Sequence, residues 1–307
     1  MSGASLPGAG LTGLRASPFD LHDDESYGAW REAKLAAYPR SIDELAVEIG
    51  DPAALTAAER AAIRDRCARA NMAVYALAGP PRDEQAQRAA VLALGATLGL
   101  TAVEDHRSRD GDGLVAIEVA ESGGRLGYIP YTSRPIAWHT DGYYNYHGPD
   151  RAVQAMLLHC VRDADGGDNR LLDHEIAYIR LRDENPAYIA ALMHPEAMAI
   201  PANVEPDGKV RPVNTGPVFY IVPRAGALGM RYTARTRSIA WREDAMTQKA
   251  VAALARILAD EPLTLTTRLR PGVGLVCNNV LHDRTGFASA GPGGRLLYRI
   301  RYHGLVA

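Results

Sequence analysis

Trp138-His139-Thr140-Asp141 closes a strand-like run. In an extended chain residues i and i+2 project to the same side, so His139 and Asp141 can present an imidazole and a carboxylate to one interior. Alone, a His-x-Asp reads equally well as a surface turn with a capping aspartate, because so short a motif recurs by chance. A distant histidine gives it weight. Leu269 to His282 reads as a Pro271-Gly272 turn feeding an apolar strand that ends in His282. Two histidines and one carboxylate form the facial set that suits Fe(II), because they leave several coordination positions open for substrate and oxygen. Zinc prefers a tetrahedral site with a single open position. A third chemical signal lies in Gly294 to Tyr302. As a strand it puts Leu296, Tyr298, Ile300 and Tyr302 on one face and Arg295, Leu297, Arg299 and Arg301 on the other. Arginines on a face beside a metal-bearing strand make a receptor for carboxylates, which a guanidinium grips through two parallel bonds. The plainer reading is the solvated face of an edge strand, for Arg301 above all.

These side chains must be positioned by the surrounding elements, and the sequence changes texture along its length. Ser26 to Tyr38, Leu55 to Leu77 and Asp83 to Leu98 read as helices, the second opening on Thr56 and Glu59 spaced as a capping box. From about Gly113 the apolar segments become short, β-branched and aromatic, with Gly and Pro between them: LVAIEVA, GYIPY, RPIAWHTD, AVQAMLLHC, PVFYIVP, LGMRYTAR, LTLTTRL, VGLVCNN and RLLYRIRYHG. So many strands in series predict a β-sandwich or barrel. Two helical stretches interrupt them, Ile176 to Met193 and Arg242 to Asp260. The expected organisation is a leader over residues 1–25, rich in Gly, Ser and Pro and disordered, then one domain over 26–307. Within that domain a helical layer (26–112) packs on a β core (113–307) with helical insertions.

Bulk properties narrow the function. With 34 basic and 36 acidic residues the net charge is −2. That supplies no positive field for non-specific nucleic-acid or anionic-membrane binding, so a small-molecule substrate is the expected partner. No window approaches a membrane-spanning helix. Cys67, Cys160 and Cys277 are odd in number and far apart, which fits a reducing cytoplasm better than a disulfide scaffold. Self-association into a homo-oligomer is left open.

Taken in order, the stretches YTSRPIAWHTD, AVQAMLLHC, GGDNRLLD, VLHDRTGF and RLLYRIRY resemble the taurine and 2,4-dichlorophenoxyacetate (TauD/TfdA) dioxygenase family, with motifs closest to those of γ-butyrobetaine hydroxylase. The resemblance implies a double-stranded β-helix, or jelly roll, with iron held by His139, Asp141 and His282. It further implies 2-oxoglutarate and O2 as co-substrates. Arg295 falls where the closest relatives carry the arginine that meets the distal carboxylate of 2-oxoglutarate. Asn169 stands where the family usually has a Thr or Ser that helps hold it; an amide can also donate. The implied reaction is hydroxylation of a small molecule coupled to decarboxylation of 2-oxoglutarate to succinate. Asp141 favours this outcome, since halogenases on this scaffold lack the carboxylate.

For the substrate, Tyr131 matches a tyrosine of the trimethylammonium cage in γ-butyrobetaine hydroxylase, where aromatic faces hold a cation. Other cage positions are replaced by Glu118 and Arg301. Arg299 matches the arginine that binds sulfonate in the taurine enzyme, and Tyr143, Tyr144 and Tyr146 follow the candidate ligands. The expectation is therefore an anionic or zwitterionic substrate, contacted by Arg299, Tyr131, Tyr143 and Arg301. His159, His174 and His194 read as structural or surface residues. Arg284 and Phe287 suit loop positioning as well as substrate contact. Two other readings use the same fold: a zinc hydrolase or cupin-like metalloenzyme without 2-oxoglutarate, and a non-catalytic jelly-roll binding protein. The first needs no Arg295, and the intact ligand set counts against the second.

Overall fold

The structure is a computed structural model that describes residues 17–306 apart from 106–109, 121–124, 126, 205–207, 209 and 289–293. Helices α1 (Asp24–Ala37), α2 (Ala57–Ala70) and α3 (Glu84–Thr97) form as the sequence predicts, and both bonds of the Thr56–Glu59 capping box are made. The expected helix over 55–77 is too long, however. Asn71 adopts a left-handed φ of 55° and donates its N–H to the Cys67 carbonyl, which ends α2. Residues Met72–Leu77 are instead a strand. Both of its faces are buried, so its apolar run carries no alternation to separate it from a buried helix.

Ten strands make the two main sheets: β1 (Ala46–Ile49), β2 (Met72–Leu77), β3 (Val115–Ile117), β4 (Ile136–His139), β5 (Ala155–Arg162), β6 (Asn169–Leu172), β7 (Leu265–Thr267), β8 (Val273–Cys277), β9 (Leu281–Arg284) and β10 (Leu296–Tyr302). The larger sheet runs β1-β2-β8-β5-β10-β3 and the smaller β7-β6-β9-β4. Residues 26–112 are therefore more than a helical layer, because β1 and β2 extend the sheet that later strands build. The core is a double-stranded β-helix whose sheets face one another without closing into a barrel. GYIPY is not a strand: Ile129–Tyr131 is a short 3-10 turn, since Pro130 has no N–H to give a ladder. The helix expected over 176–193 is two helices, α4 (His174–Glu184) and α5 (Pro186–Leu192). Pro186 forces Asn185 into an extended conformation at the break. α6 (Ala245–Asp260) completes the helical insertions.

Alternation along the strands sorts side chains between two cores. Met156, Leu158 and Cys160 of β5 and Leu275 and Cys277 of β8 meet Leu171 and Leu172 of β6, Leu281 of β9 and Trp138 of β4 between the sheets. On the outer face of the larger sheet Leu157, Val161, Leu296, Tyr298 and Ile300 pack against Ile63 of α2 and Val91 and Leu94 of α3. Each such side chain contributes about 1.5–3 kcal/mol of burial. Residues 17–25 of the segment expected to be a leader are part of the fold. Phe19 is buried against Trp30 and Tyr178, and Arg182 of α4 donates to the carbonyls of Pro18 and Asp20. The rest of that segment, 1–16, lies outside the described residues. Among the described residues no helix is long and apolar enough to cross a membrane.

The larger sheet carries a buried polar cluster that explains His159. Its ring stacks on Tyr75, Nδ1 receives the Tyr75 hydroxyl at 3.1 Å, and Nε2 donates to Gln87 of α3 at 3.2 Å. Both nitrogens are satisfied in the neutral form, and burial pushes its pKa from 6.5 down to about 4. Between those two values the unfolded chain binds a proton that the folded chain refuses, so stability falls as the pH drops through this window. Urea titrations from pH 7 to pH 4 should show that loss, and His159→Gln should flatten the slope. A second prediction concerns Gly274, opposite Tyr75 in the ladder, where an added Cβ would collide with the Tyr75 ring. Gly274→Ala should cost ~1–3 kcal/mol in the same titration.

Candidate metal centre and cleft

His139 ends β4 and His282 lies in β9, where the two are directly opposed partners of an antiparallel pair. His282 is not at the end of the strand that follows Pro271-Gly272, as the sequence suggested. That strand, β8, stops at Cys277; Asn279, at a φ of 49°, turns the chain out of the larger sheet and into β9 of the smaller. The imidazole centroids are 4.2 Å apart. Nδ1 of His139 lies 3.0 Å from the Ala137 carbonyl and Nδ1 of His282 lies 3.0 Å from that of Val280. A carbonyl only accepts, so each ring holds its proton on Nδ1 and keeps the Nε2 lone pair for a metal.

Asp141 joins them two residues past β4, its Oδ1 3.9 Å from His139 Nε2. One potential ligand atom from each of the three residues lies within 4.8 Å of the others, and all three residues are at least nine-tenths buried. The segment is held from both sides. Thr140 exchanges hydrogen bonds with Tyr232, its N–H donating to the Tyr232 carbonyl and its hydroxyl accepting from the Tyr232 N–H, each at 3.0 Å. On the other side Asn279 accepts from the Asp141 N–H at 2.8 Å and donates to the carbonyls of Asp141 and Val153 at 3.0 and 2.8 Å. Asn279 was not singled out from the sequence; its only trace there is an Asn-Asn pair interrupting an apolar run before a histidine.

Charge suits a cation at this point. Burial and the facing His282 push His139 down to about 3, which keeps it neutral. Burial alone would raise the Asp141 carboxyl, yet Arg299 and Arg301 hold it well below the usual carboxylate range. Its Oδ1 accepts from Arg299 at 3.2 Å, while Oδ2 is buried without a hydrogen-bond partner. Two imidazole nitrogens and one carboxylate with an unused oxygen are a donor set that a divalent ion of octahedral preference fits.

The remaining expected residues divide between two regions. Arg295, just before β10, is buried, and among the described residues no carboxylate comes within ion-pair distance of it. Its guanidinium lies 5.2 Å from the Phe287 ring centroid, and that of Arg284 lies 4.9 Å from the same ring. Burial and Arg295 push Arg284 down to about 10, and burial lowers Arg295 as well. Asn169 donates to the Asp283 carbonyl at 3.0 Å and keeps a buried Oδ1 without a partner.

Arg299, Arg301 and Tyr143 line a cleft of about 530 Å³ whose floor includes His139 and Asp141. Tyr143 stands edge-on to His139 at 6.3 Å. β10 is an inner strand between β5 and β3, which overturns the solvated-edge reading of its arginines. Arg301 is 2% exposed, pairs with Glu104 at 2.5 Å and donates to the Tyr144 hydroxyl. Its charge is thus already balanced. Tyr131 is not in the cleft lining; it packs in the core with the Arg125 guanidinium 5.1 Å from its ring. His174 is a core residue bonded to the Leu228 carbonyl, and His194 accepts from the Glu196 N–H in a turn.

Residues 34–301 match the family model of the taurine catabolism dioxygenase TauD, TfdA family. The chain belongs to this family. TauD/TfdA proteins are non-heme iron, 2-oxoglutarate-dependent oxygenases. Solved structures agree in fold. An asparagine oxygenase in complex with Fe(II), 2S,3S-3-hydroxyasparagine and succinate is 17% identical, with a TM-score of 0.55 over 85% of this chain and 94% of that one. The non-heme iron oxygenase OrfP in complex with Fe and alpha-ketoglutaric acid is also 17% identical, with a TM-score of 0.60 over 82% and 81%. PvcB from Pseudomonas aeruginosa is 16% identical, with a TM-score of 0.50 over 83% and 82%.

Outer partners that orient metal ligands typically set ~10–100-fold in affinity. Asn279→Ala, which releases Asp141, should weaken Co(II) binding by about that factor in a spectroscopic titration, with an unchanged circular dichroism spectrum.

Proposed function

We propose that this TauD/TfdA protein is an Fe(II)- and 2-oxoglutarate-dependent hydroxylase of a small anionic or zwitterionic molecule, with His139, Asp141 and His282 as the iron ligands. The observation that carries the reading is that the fold holds both that buried triad and Arg295, a buried guanidinium with no carboxylate partner among the described residues. An uncompensated charge in the interior is costly, so the site is suited to a ligand that brings the anion with it. A zinc hydrolase or a cupin-like enzyme has no use for that group.

When bound, ferrous iron with 2-oxoglutarate and O2 supplies the oxidising power, with 2-oxoglutarate decarboxylated to succinate. The chain's own part is binding and positioning. His139 and His282 offer Nε2 because their Nδ1 protons are tied to backbone carbonyls. Asp141 stays ionised beside Arg299. Arg295 takes the distal carboxylate of 2-oxoglutarate, and Asn169 contributes its remaining amide hydrogen. Tyr143 and Arg299 shape the part of the cleft where the substrate approaches the metal, and the apolar wall of Ile129, Pro130 and Ile136 keeps water from it.

The substrate is read as zwitterionic or anionic rather than as a quaternary ammonium compound. The resemblance to γ-butyrobetaine hydroxylase puts Arg301 and Glu118 where that enzyme has cage aromatics, and Tyr131, the matching cage tyrosine, packs in the core and not in the cleft. The neighbouring asparagine oxygenase and OrfP, whose complexes contain hydroxylated amino acids, support the same class.

Anaerobic Fe(II) and 2-oxoglutarate should produce a weak visible charge-transfer band. Arg295→Ala should raise the 2-oxoglutarate concentration needed for half of that band ~10–100-fold, the loss expected for a charged hydrogen-bonded pair, with Co(II) affinity retained. No band at saturating iron and 2-oxoglutarate would return the protein to the 2-oxoglutarate-independent metalloenzymes.

A further inference from the structure

The cleft carries four arginines, and two have their charges accounted for: Arg299 donates to Asp141, and Arg301 pairs with Glu104. The other two, Arg235 and Arg237, stand exposed at the cleft on the segment Thr233-Ala234-Arg235-Thr236-Arg237-Ser238. Among the described residues neither meets an acidic partner. The segment is not a free loop. Thr233 bridges His139, and the Ala234 N–H donates to the Trp138 carbonyl at 2.8 Å, so its start is pinned alongside the first candidate metal ligand. At its far end Ser238 holds a φ of 59°, a conformation a β-carbon disfavours, and the chain then enters the Ala240–Trp241 strand paired with Ala199 and Met198. Two guanidiniums and the hydroxyls of Thr236 and Ser238 are thereby held along one rim of a concave surface, where unpaired positive charge concentrates the field. That is the chemistry of an oxyanion receptor.

We propose that Arg235 and Arg237 form a second anion subsite, which binds an oxyanion group of the substrate remote from the carbon that is oxidised. Resting on the functional reading above, this makes the substrate class a small acid with its oxyanion at the end away from the metal. Anchoring to Trp138 and His139 fixes the spacing between that group and the metal, so the subsite also selects for substrate length.

The probe is methylphosphonate, observed by 31P line broadening on the anaerobic Fe(II) and 2-oxoglutarate form of the full chain. Broadening in the native protein, reversed by sulfate and reduced at least about fivefold in Arg235→Gln/Arg237→Gln, is the expected result. No broadening in the native protein, or equal broadening in that variant, overturns the subsite. So does an equal reduction in Arg64→Gln/Arg82→Gln, which removes two exposed arginines elsewhere, because binding would then be general surface attraction. The charge-transfer band is read on the same samples. A band without broadening that depends on Arg235 and Arg237 defeats the subsite alone, whereas such broadening without a band defeats the iron and 2-oxoglutarate reading and leaves the subsite standing.

Discussion

The pairing of β9 with β4 is the contact on which the candidate site rests, because it sets His282 directly opposite His139. Strand pairing has a period of two, and a one-residue slip would turn one imidazole away from the other. The register shifts just past His282, so the irregularity falls on the side of Arg284 and not between the histidines. Asn279 links this pairing to the larger sheet: one side chain in a left-handed turn ends one sheet, starts the other and grips the backbone of Asp141. Metal geometry and sheet architecture therefore share a residue.

Around that contact the interior charges are arranged in opposed pairs. Arg299 faces Asp141, and Arg301 faces Glu104 in a pair almost wholly removed from water. Burying such groups is unfavourable unless each is matched, and removing either partner strands the other. The Arg284 and Arg295 guanidiniums on either contact with Phe287 depart from this scheme. Arg284 is satisfied by the carbonyls of Thr132 and Arg134, whereas Arg295 has no carboxylate within ion-pair distance among the described residues.

Much of this was legible in the sequence, and the failures have physical causes. The His-x-Asp spacing, the two faces of β10 and the capped starts of the helices all rest on local periodicity, and local periodicity survives folding. The strand Met72–Leu77 was hidden because a segment buried on both faces loses its alternation. The turn at Asn279 was hidden because apolar residues on either side of it belong to different sheets. The surroundings of Tyr131 and Arg301, which the resemblance offered as substrate contacts, include the Arg125 guanidinium and the Glu104 carboxylate, and no local pattern in the sequence announces either contact. Arg235 and Arg237 carried no motif at all, since their significance comes only from the cleft they border.

The order β1-β2-β8-β5-β10-β3 threads early and late parts of the chain through one sheet, with β8 lying between β2 and β5. Such non-local pairing folds slowly, because loops spanning much of the polypeptide must close before their contacts reward them. Until β8 inserts, β2 and β5 present unpaired edges to one another, and the turn at Asn279 has no framework to hold it. The candidate ligands His139, Asp141 and His282 can therefore come together only in a chain whose assembly is nearly finished.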